Sequence, residues 1–294
     1  MRSVVRFVSC VANPFAILFR MIVDVAAEVV ANTRLSADYN IVSLAAPAIA
    51  QTATAGQFVM VKPGAALDPL LRRPFSIFER LRTGGQVSGL SLLNKRIGLA
   101  TSLLFDAKPG DRIPCLGPLG QPFVPVRPPA EAWMIAGGVG LAPFVTLAEA
   151  LVALGTPTTL FYGGRSASDL FRIELLQRLG VSVVVTTEDG SQGERGRVTA
   201  PLLHALNERP VDSPVTLYAC GPTPMMRAVA DLGRQFSRPT FVSLEPVMGC
   251  GMGGCYSCVV PVLEAGAPHF VRSCLEGPVF DASRIVWTSL TGGH

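Results

Sequence analysis

Four cysteines near the C-terminus constrain this chain more than any other feature. Cys250, Cys255, Cys258 and Cys274 are separated by four, two and fifteen residues. Thiolates are soft ligands that suit iron–sulfur clusters and zinc. A four-then-two spacing with a distant fourth cysteine is the plant-type 2Fe-2S arrangement. Between the ligands, Gly249, Gly251, Gly253 and Gly254 let the backbone take left-handed conformations and turn amides toward cluster sulfides. Ser257 adds a small polar side chain, and Val259 and Val260 open an apolar run suited to a strand. Structural zinc sites usually pair two Cys-x-x-Cys knuckles, and only one pair here has that spacing. Zinc and a set of inert thiols are the alternatives to an iron–sulfur cluster.

The chain has 294 residues, enough for two or three domains with ordinary cores. Its other cysteines, Cys10, Cys115 and Cys220, lie far apart and read as buried or incidental thiols. Seven cysteines used this way do not make a secreted disulfide framework and point to a reducing cytoplasm. Of the net charge of +4, three charges come from Arg2, Arg6 and Arg20, which precede the first acid, Asp24. The remainder is near neutral, with no basic, aromatic-laced run for nucleic acid. Charged residues make up 16 % of the chain and mean hydropathy is +0.41, values that suit a surface partly buried against a partner. The uncharged stretch 39–61 contains Pro47, Gly56 and several polar residues and reads as strands around a turn rather than a membrane span. Residues 1–20 mimic a signal peptide but lack a small-residue cleavage site. A start at Met21 would leave a clean opening strand, so residues 1–21 are expected to be an extension.

From 22 to 128, short alternating runs broken by Gly and Pro predict an antiparallel β-barrel. The turn Pro109-Gly110-Asp111 leads into RIPCLGPLGQPF, read as another punctuated pair of strands. Within this region Arg73 and Ser76 stand three residues apart on a strand, with Pro74 and Phe75 between them. Such a strand can offer an arginine and a hydroxyl to a diphosphate and a flavin edge, and Phe75 as an apolar face. Gly98 and Thr101 lie where a strand gives way to the helix TSLLFDA, an anion-binding geometry. Solvated arginines on an edge strand and a threonine N-cap are the plain alternative.

From 129 to 238 the pattern becomes strand–helix alternation, which predicts a doubly wound parallel α/β sheet. Its first turn reads Gly138-x-Gly140-x-x-Pro143, with amides placed to face a pyrophosphate. Proline is tolerated in a first helical turn. ASDLFRIELLQRLG is expected to be the second helix. Cys220-Gly221-Pro222 follows a strand at the carboxyl end of the sheet, where ligands bind in such folds. Cys220 has no activating base, because His204, His269 and His294 read as surface residues. Residues 239–294 form a small lobe held together by its cluster.

Together, RRPFS, GGVGLAP and YACGP resemble the ferredoxin reductase superfamily. With GCGMGGCYSCVV and CLEGPVFDA added, the chain resembles the electron-transfer subunits of NAD-linked dihydroorotate dehydrogenases over residues 22–288. The resemblance implies FAD held by Arg73, Pro74, Phe75 and Ser76, with its pyrophosphate at Gly98 and Thr101. It implies NAD at Gly138, Gly140 and Pro143, its nicotinamide beside Cys220, Gly221 and Pro222. It also implies a 2Fe-2S cluster on Cys250, Cys255, Cys258 and Cys274. The implied partner is an FMN-containing catalytic subunit, in a heterotetramer without a membrane span, serving pyrimidine biosynthesis. Electrons would run from that FMN through the cluster and FAD to NAD, with the acid–base chemistry on dihydroorotate left to the partner. The family usually has a shorter N-terminus. A sister group, the small subunit of NADH-dependent ferredoxin:NADP reductases, tends to carry an acidic residue near the first cluster ligand, where Cys250 stands here. The remaining alternatives are a subunit of another redox complex (hydrogenase, sulfide dehydrogenase or ferredoxin:NADP reductase) and a zinc-stabilised nucleotide-binding module. Arg165 and Ser166 after TTLFYGG leave NAD against NADP open.

Overall fold

The computed structural model describes residues 4–5, 22–64, 69–210 and 212–290. The chain divides into two compact units, one of the described residues up to Ala53 with Phe58–Leu119, the other of Thr54–Gln57 with everything from Gly120. Apart from Val4 and Val5, the expected extension 1–21 lies outside the described residues, as do Cys10 and His294. Among the described residues, no helix is long and apolar enough to cross a membrane.

The first unit is one antiparallel sheet of β1 (Val4–Val5), β2 (Ile22–Arg34), β3 (Tyr39–Ala45), β4 (Phe58–Val61), β5 (Arg73–Ser76), β6 (Glu79–Thr83), β7 (Gln86–Lys95) and β8 (Arg112–Leu119). Its order is β5-β4-β8-β2-β3-β7-β6, with β1 paired to β2. Alternation places Val29, Val42, Leu44, Val59, Leu90, Leu92 and Ile113 in a shared core. Two expectations are corrected here. RIPCLGPL runs as the single strand β8, because its backbone pairs with both β2 and β4. Within 39–61 a short helix, Pro47–Ala50, follows β3 and buries Ile49 and Ala50 in the core. The helix Leu99–Asp106 is fastened to the sheet by three asparagines. Asn94 Nδ2 donates to Asn40 Oδ1 (2.8 Å) and to the Thr101 carbonyl (3.0 Å), while Asn40 Nδ2 donates to Asn32 Oδ1 (2.7 Å). Asn32 Nδ2 in turn donates to the Ala107 carbonyl (2.7 Å). Asn40→Ala strands groups on both neighbours, so it should cost about 2–3 kcal/mol in chemical denaturation. A loss under about 0.5 kcal/mol, the size of an ordinary surface change, would show that the chain of amides is dispensable.

The second unit carries a seven-stranded sheet whose first six strands are β9 (Glu131–Gly137), β10 (Thr158–Gly164), β11 (Ser182–Thr187), β12 (Glu194–Arg195), β13 (Val215–Cys220) and β14 (Thr240–Ser243). A hairpin, β15 (Val259–Glu264) and β16 (Ala267–Arg272), and a last strand, β17 (Val279–Asp281), follow. The sheet order is β12-β11-β10-β9-β13-β14-β17. Strands β9 to β14 are parallel and β17 joins β14 antiparallel, so the sheet is mixed rather than purely parallel. The connection reverses between β9 and β13, the place where such sheets open a crevice at their carboxyl edge. The predicted second helix is broken: a 3-10 turn, Ala167–Asp169, precedes a helix confined to Ile173–Arg178. Leu170 and Phe171 leave the helix to bury themselves, and Arg172 takes φ +59° to restart it. The hairpin turns through Ala265 and Gly266, both at positive φ, as a two-residue loop demands. Val260, Val262 and Val271 of the hairpin pack in the same core as Trp133, Leu217 and Val242 of the sheet.

Candidate functional site

In the first unit, β5 is the end strand of its sheet, and all four of its residues are half-buried. It pairs with β4 through Val61↔Arg73, Met60↔Pro74, Val59↔Phe75 and Phe58↔Ser76. The two arginines at its start separate by partner. Arg72 is held by both carboxylate oxygens of Asp24 (2.9 and 2.8 Å). Arg73 donates only to the Leu71 and Arg72 carbonyls (3.0 and 3.2 Å), and among the described residues no carboxylate pairs with it. A guanidinium left without a counter-charge on an open strand fits an anionic group such as a diphosphate. Gly98, not Thr101, is the N-cap of helix Leu99–Asp106, and Thr101 sits at its third position, where its side chain completes a capping box. The Thr101 hydroxyl accepts from the Ile97 and Gly98 N–H groups (both 2.9 Å) and ties the turn to the helix. Gly98 is extended and a Cβ there meets nothing, so its value is open approach to the helix start.

In the second unit, two motifs far apart in sequence meet. Cys220 is opposite Ala136 in the register of β13 on β9, so Gly138–Pro143 and Cys220–Pro222 leave the sheet side by side. A Cβ on Gly140 would collide with the Cys220 carbonyl oxygen and come within 2.7 Å of the Gly221 Cα. A Cβ on Gly137 would lie 2.8 Å from Pro222 Cδ. Gly138 takes φ +54°, and its carbonyl lies 3.2 Å from the hydroxyl of Tyr162. That fully buried hydroxyl also lies 3.1 Å from the Asp169 carbonyl and accepts from the Phe171 N–H, so one ring ties together two loops. Pro143 stands just before helix Phe144–Ala153, as its N-cap rather than within its first turn. The amides of a helix start behind a glycine turn fit the pyrophosphate of a dinucleotide. Cys220 is buried, with Sγ 3.9 Å from Glu245 Oε1. Burial first, and then the Glu245 charge, push its thiol well above the ordinary range. It is therefore a neutral, space-filling wall of the crevice and no nucleophile. Glu245 was not singled out from sequence. Only the pairing of Cys220 with Ser243, two residues earlier, reveals it as a neighbour.

The loop from Glu245 to Cys258 has no regular structure and is shaped by side chains. The Gly249 N–H donates to Ser257 Oγ (2.8 Å), the Met252 N–H to Cys250 Sγ (3.4 Å), and Arg272 Nη1 to the Gly253 carbonyl (2.8 Å). Arg272 also covers the Tyr256 ring at 4.7 Å. Gly253, at φ +81°, lies against Leu275, where a Cβ would come within 2.6 Å of Cδ1. The thiols act on one another: Cys250 on Cys255, and Cys258 and then Cys250 on Cys274, so all four are neighbours, with Cys255 beside Cys250 and Cys274 beside Cys258. Among the described residues, no three His, Cys, Asp or Glu side chains converge as they would around one ion. Two soft-ligand pairs fit two irons with two protein ligands each, and so fit a 2Fe-2S cluster. The pairs differ in environment. Ser257, through its hydroxyl at 3.1 Å and its backbone amide, and then Cys250 draw the exposed Cys255 thiol down to about 6. Burial, and then the neighbouring Cys258, push Cys274 up to about 12. In cluster-free protein, alkylation by iodoacetamide should rise through pH 6 at Cys255 while Cys274 and Cys220 stay unlabelled at pH 8. Equal labelling of all three by peptide mapping would contradict this environment.

Residues 134–231 match the family model described as the oxidoreductase NAD-binding domain. Residues 245–286 match the iron–sulfur cluster binding domain of dihydroorotate dehydrogenase B. The chain is 38 % identical over 82 % of its length to the dihydroorotate dehydrogenase B (NAD(+)) electron transfer subunit of Desulforamulus reducens, covering 90 % of it. It is 39 % identical to the subunit of that name from Geobacillus kaustophilus, over 79 % of this chain and 86 % of that one. Among solved structures, an NADH-dependent reduced ferredoxin-NADP oxidoreductase superposes with TM-score 0.78 at 28 % identity, covering 90 % of this chain and 91 % of that one. Amycolatopsis cytochrome P450 reductase matches with TM-score 0.62 at 26 % identity, over 74 % of this chain and 67 % of that one.

Proposed function

The chain belongs to the electron transfer subunits of dihydroorotate dehydrogenase B, and from that premise we propose that it passes to NAD electrons that an FMN-containing catalytic subunit takes from dihydroorotate. It is an oxidoreductase of the ferredoxin reductase fold, with sites for FAD, a 2Fe-2S cluster and NAD. Three parts divide the labour: 22–128 for FAD, 129–238 for NAD and 239–294 for the cluster. FAD, when bound, exchanges a hydride with nicotinamide and single electrons with an iron–sulfur cluster.

The residues of the chain bind and position. Arg73 supplies the positive charge for the flavin nucleotide, Ser76 a hydroxyl, and Pro74 and Phe75 an apolar flank. Gly98 and Thr101 present the helix start to the FAD pyrophosphate. The Gly138–Pro143 turn binds the NAD pyrophosphate, and Cys220, Gly221 and Pro222 form the wall against which the nicotinamide lies. A neutral Cys220 thiol adds no charge beside a ring that alternates between cationic and neutral states. Cys250, Cys255, Cys258 and Cys274 ligate the cluster. On the same loop as the first three cysteines, Val247, Met252 and Tyr256 are exposed by 69, 41 and 62 %. Such exposed apolar residues on a redox loop suit a protein partner. The partner is the FMN subunit, in a cytoplasmic heterotetramer.

The spacing of the four cysteines, three on one loop and the fourth just after a hairpin that packs in the core of the nucleotide sheet, carries this reading. Its test is anaerobic co-purification with the catalytic subunit, followed by metal, sulfide and flavin analysis. About two irons per chain and FAD are expected. The visible spectrum should bleach with NADH, and with dihydroorotate only when the partner is present. Zinc without flavin would leave a nucleotide-binding module. Bleaching by reduced ferredoxin instead of dihydroorotate would assign the chain to another complex.

A further inference from the structure

We propose that Ser273 is a positioning residue that tunes the cluster, its hydroxyl donating a hydrogen bond to a sulfur of the Cys258–Cys274 half. This rests on the cluster reading above. Ser273 is fully buried, at 0 % exposure, and its Oγ has no hydrogen-bond partner among the described residues. Its main chain, by contrast, is paired: the N–H donates to the Cys258 carbonyl and the carbonyl accepts from the Gly277 N–H, both at 2.9 Å.

The placement follows from register. Val259 is opposite Arg272 and Val260 opposite Val271 in the β15–β16 ribbon. The Ser273–Cys258 hydrogen bond carries that ladder one step further, so Cys258 and Ser273 face each other across it. Side chains alternate along a strand, so this pair shares the inward face with Val260 and Val271, both of which pack in the core. Directly opposed residues keep their Cβ atoms about 4.5–5.5 Å apart, so the hydroxyl lies beside Cys258 without bonding a cysteine sulfur, which leaves an atom bound to that sulfur within its reach. On its other side Ser273 is joined directly to Cys274. One orphaned donor is therefore held between two cluster ligands of the same pair.

A buried hydroxyl that donates to nothing is costly, and alanine would fill the same space without that cost. The acceptor that this position implies is a sulfide of the cluster, since neither neighbouring cysteine sulfur accepts from the hydroxyl. A donor there stabilises the added negative charge of the reduced cluster, and hydrogen bonds to cluster sulfurs are among the determinants of reduction potential. Ser273 thus favours acceptance of the electron by the cluster.

The experiment is a redox titration of anaerobically reconstituted holoprotein, followed by electron paramagnetic resonance. Ser273→Ala should keep its iron and its reduced-cluster signal, while the equilibrium for reduction falls by about threefold to tenfold. Tenfold is about 59 mV more negative for a one-electron couple. Ser273→Thr, which keeps the hydroxyl, should retain the original potential. An exchangeable proton coupled to the cluster, seen by comparing water and deuterium oxide samples, should be present in the unmodified and threonine proteins and missing in the alanine one. A potential and proton coupling unchanged in Ser273→Ala would overturn the proposal. If the alanine protein fails to take up cluster, a threonine protein displaced from the original potential would overturn it. Failure of the unmodified protein to bind iron would overturn the cluster reading instead.

Discussion

Cys258→Ser protein, purified without oxygen, is expected to keep its flavin and lose its cluster. Cys258 is buried, its carbonyl is tied to the Ser273 N–H, and it is the third cysteine of the ligand spacing. A serine oxygen is a hard ligand and a poor substitute for thiolate on iron. Metal binding contributes folding free energy to small sites of this kind. The lobe does not depend on it alone, because Val260, Val262 and Val271 belong to the sheet core and β17 is a strand of the sheet. The variant should therefore stay folded and accept electrons from NADH onto a flavin-reactive dye. Dihydroorotate-dependent reduction of NAD by the complex should fall by more than about a hundredfold, since even outer partners of metal ligands cost 10–100-fold. Iron at the original level, or coupled activity within a few-fold of it, would contradict the assignment.

Gly140→Ala should be the most damaging small substitution in the nucleotide part. Its new methyl meets backbone, the Cys220 carbonyl and Gly221 Cα, and neither can swing aside as a side chain would. Forcing β9 and β13 apart should cost about 3 kcal/mol in stability. Because the same two strand ends are proposed to form the nicotinamide wall, the KM for NADH should rise by at least tenfold, equivalent to about 1.4 kcal/mol. Iron and flavin content should not change. Gly138→Ala provides the contrast: its φ of +54° is unfavourable for alanine, yet a Cβ there meets nothing. It should cost about 1–2 kcal/mol through backbone strain alone. A reversed order of severity, read by thermal unfolding and NADH titration, would show that the close approach at Gly140 relaxes easily.

Features carried by local rules were legible in the sequence. The cysteine spacing marked the cluster loop, and the alternation of apolar strands with helical segments marked the α/β sheet. Glycine and proline punctuation marked most strands of the antiparallel sheet. What escaped depends on partners distant in sequence. The run ending in Arg178 has helical spacing throughout, but Leu170 and Phe171 gain more by burial than by staying helical, and the helix restarts behind Arg172. RIPCLGPL contains a proline and a glycine yet forms one strand because two neighbours pair with it. Arg72 and Arg73 look equivalent until Asp24 claims the first. Nothing in the local sequence places Glu245 beside Cys220, or Ser273 opposite Cys258. Both follow from strand register, which single-chain spacing does not reveal.

The return of β17 to the sheet has a wider meaning for how this molecule withstands change. Ser243 is opposite Cys220 on one side and Val279 on the other. The chain therefore leaves for the lobe and comes home on adjoining rungs of one ladder, so the metal-binding segment is a closed bight instead of a pendant tail. A nick anywhere along it would leave both cut ends moored beside β13, with no fragment to drift away. Lengthening or shortening the bight in the course of evolution would leave that mooring where it is. The redox loop is free to diversify for new partners while the rung beneath it stays fixed.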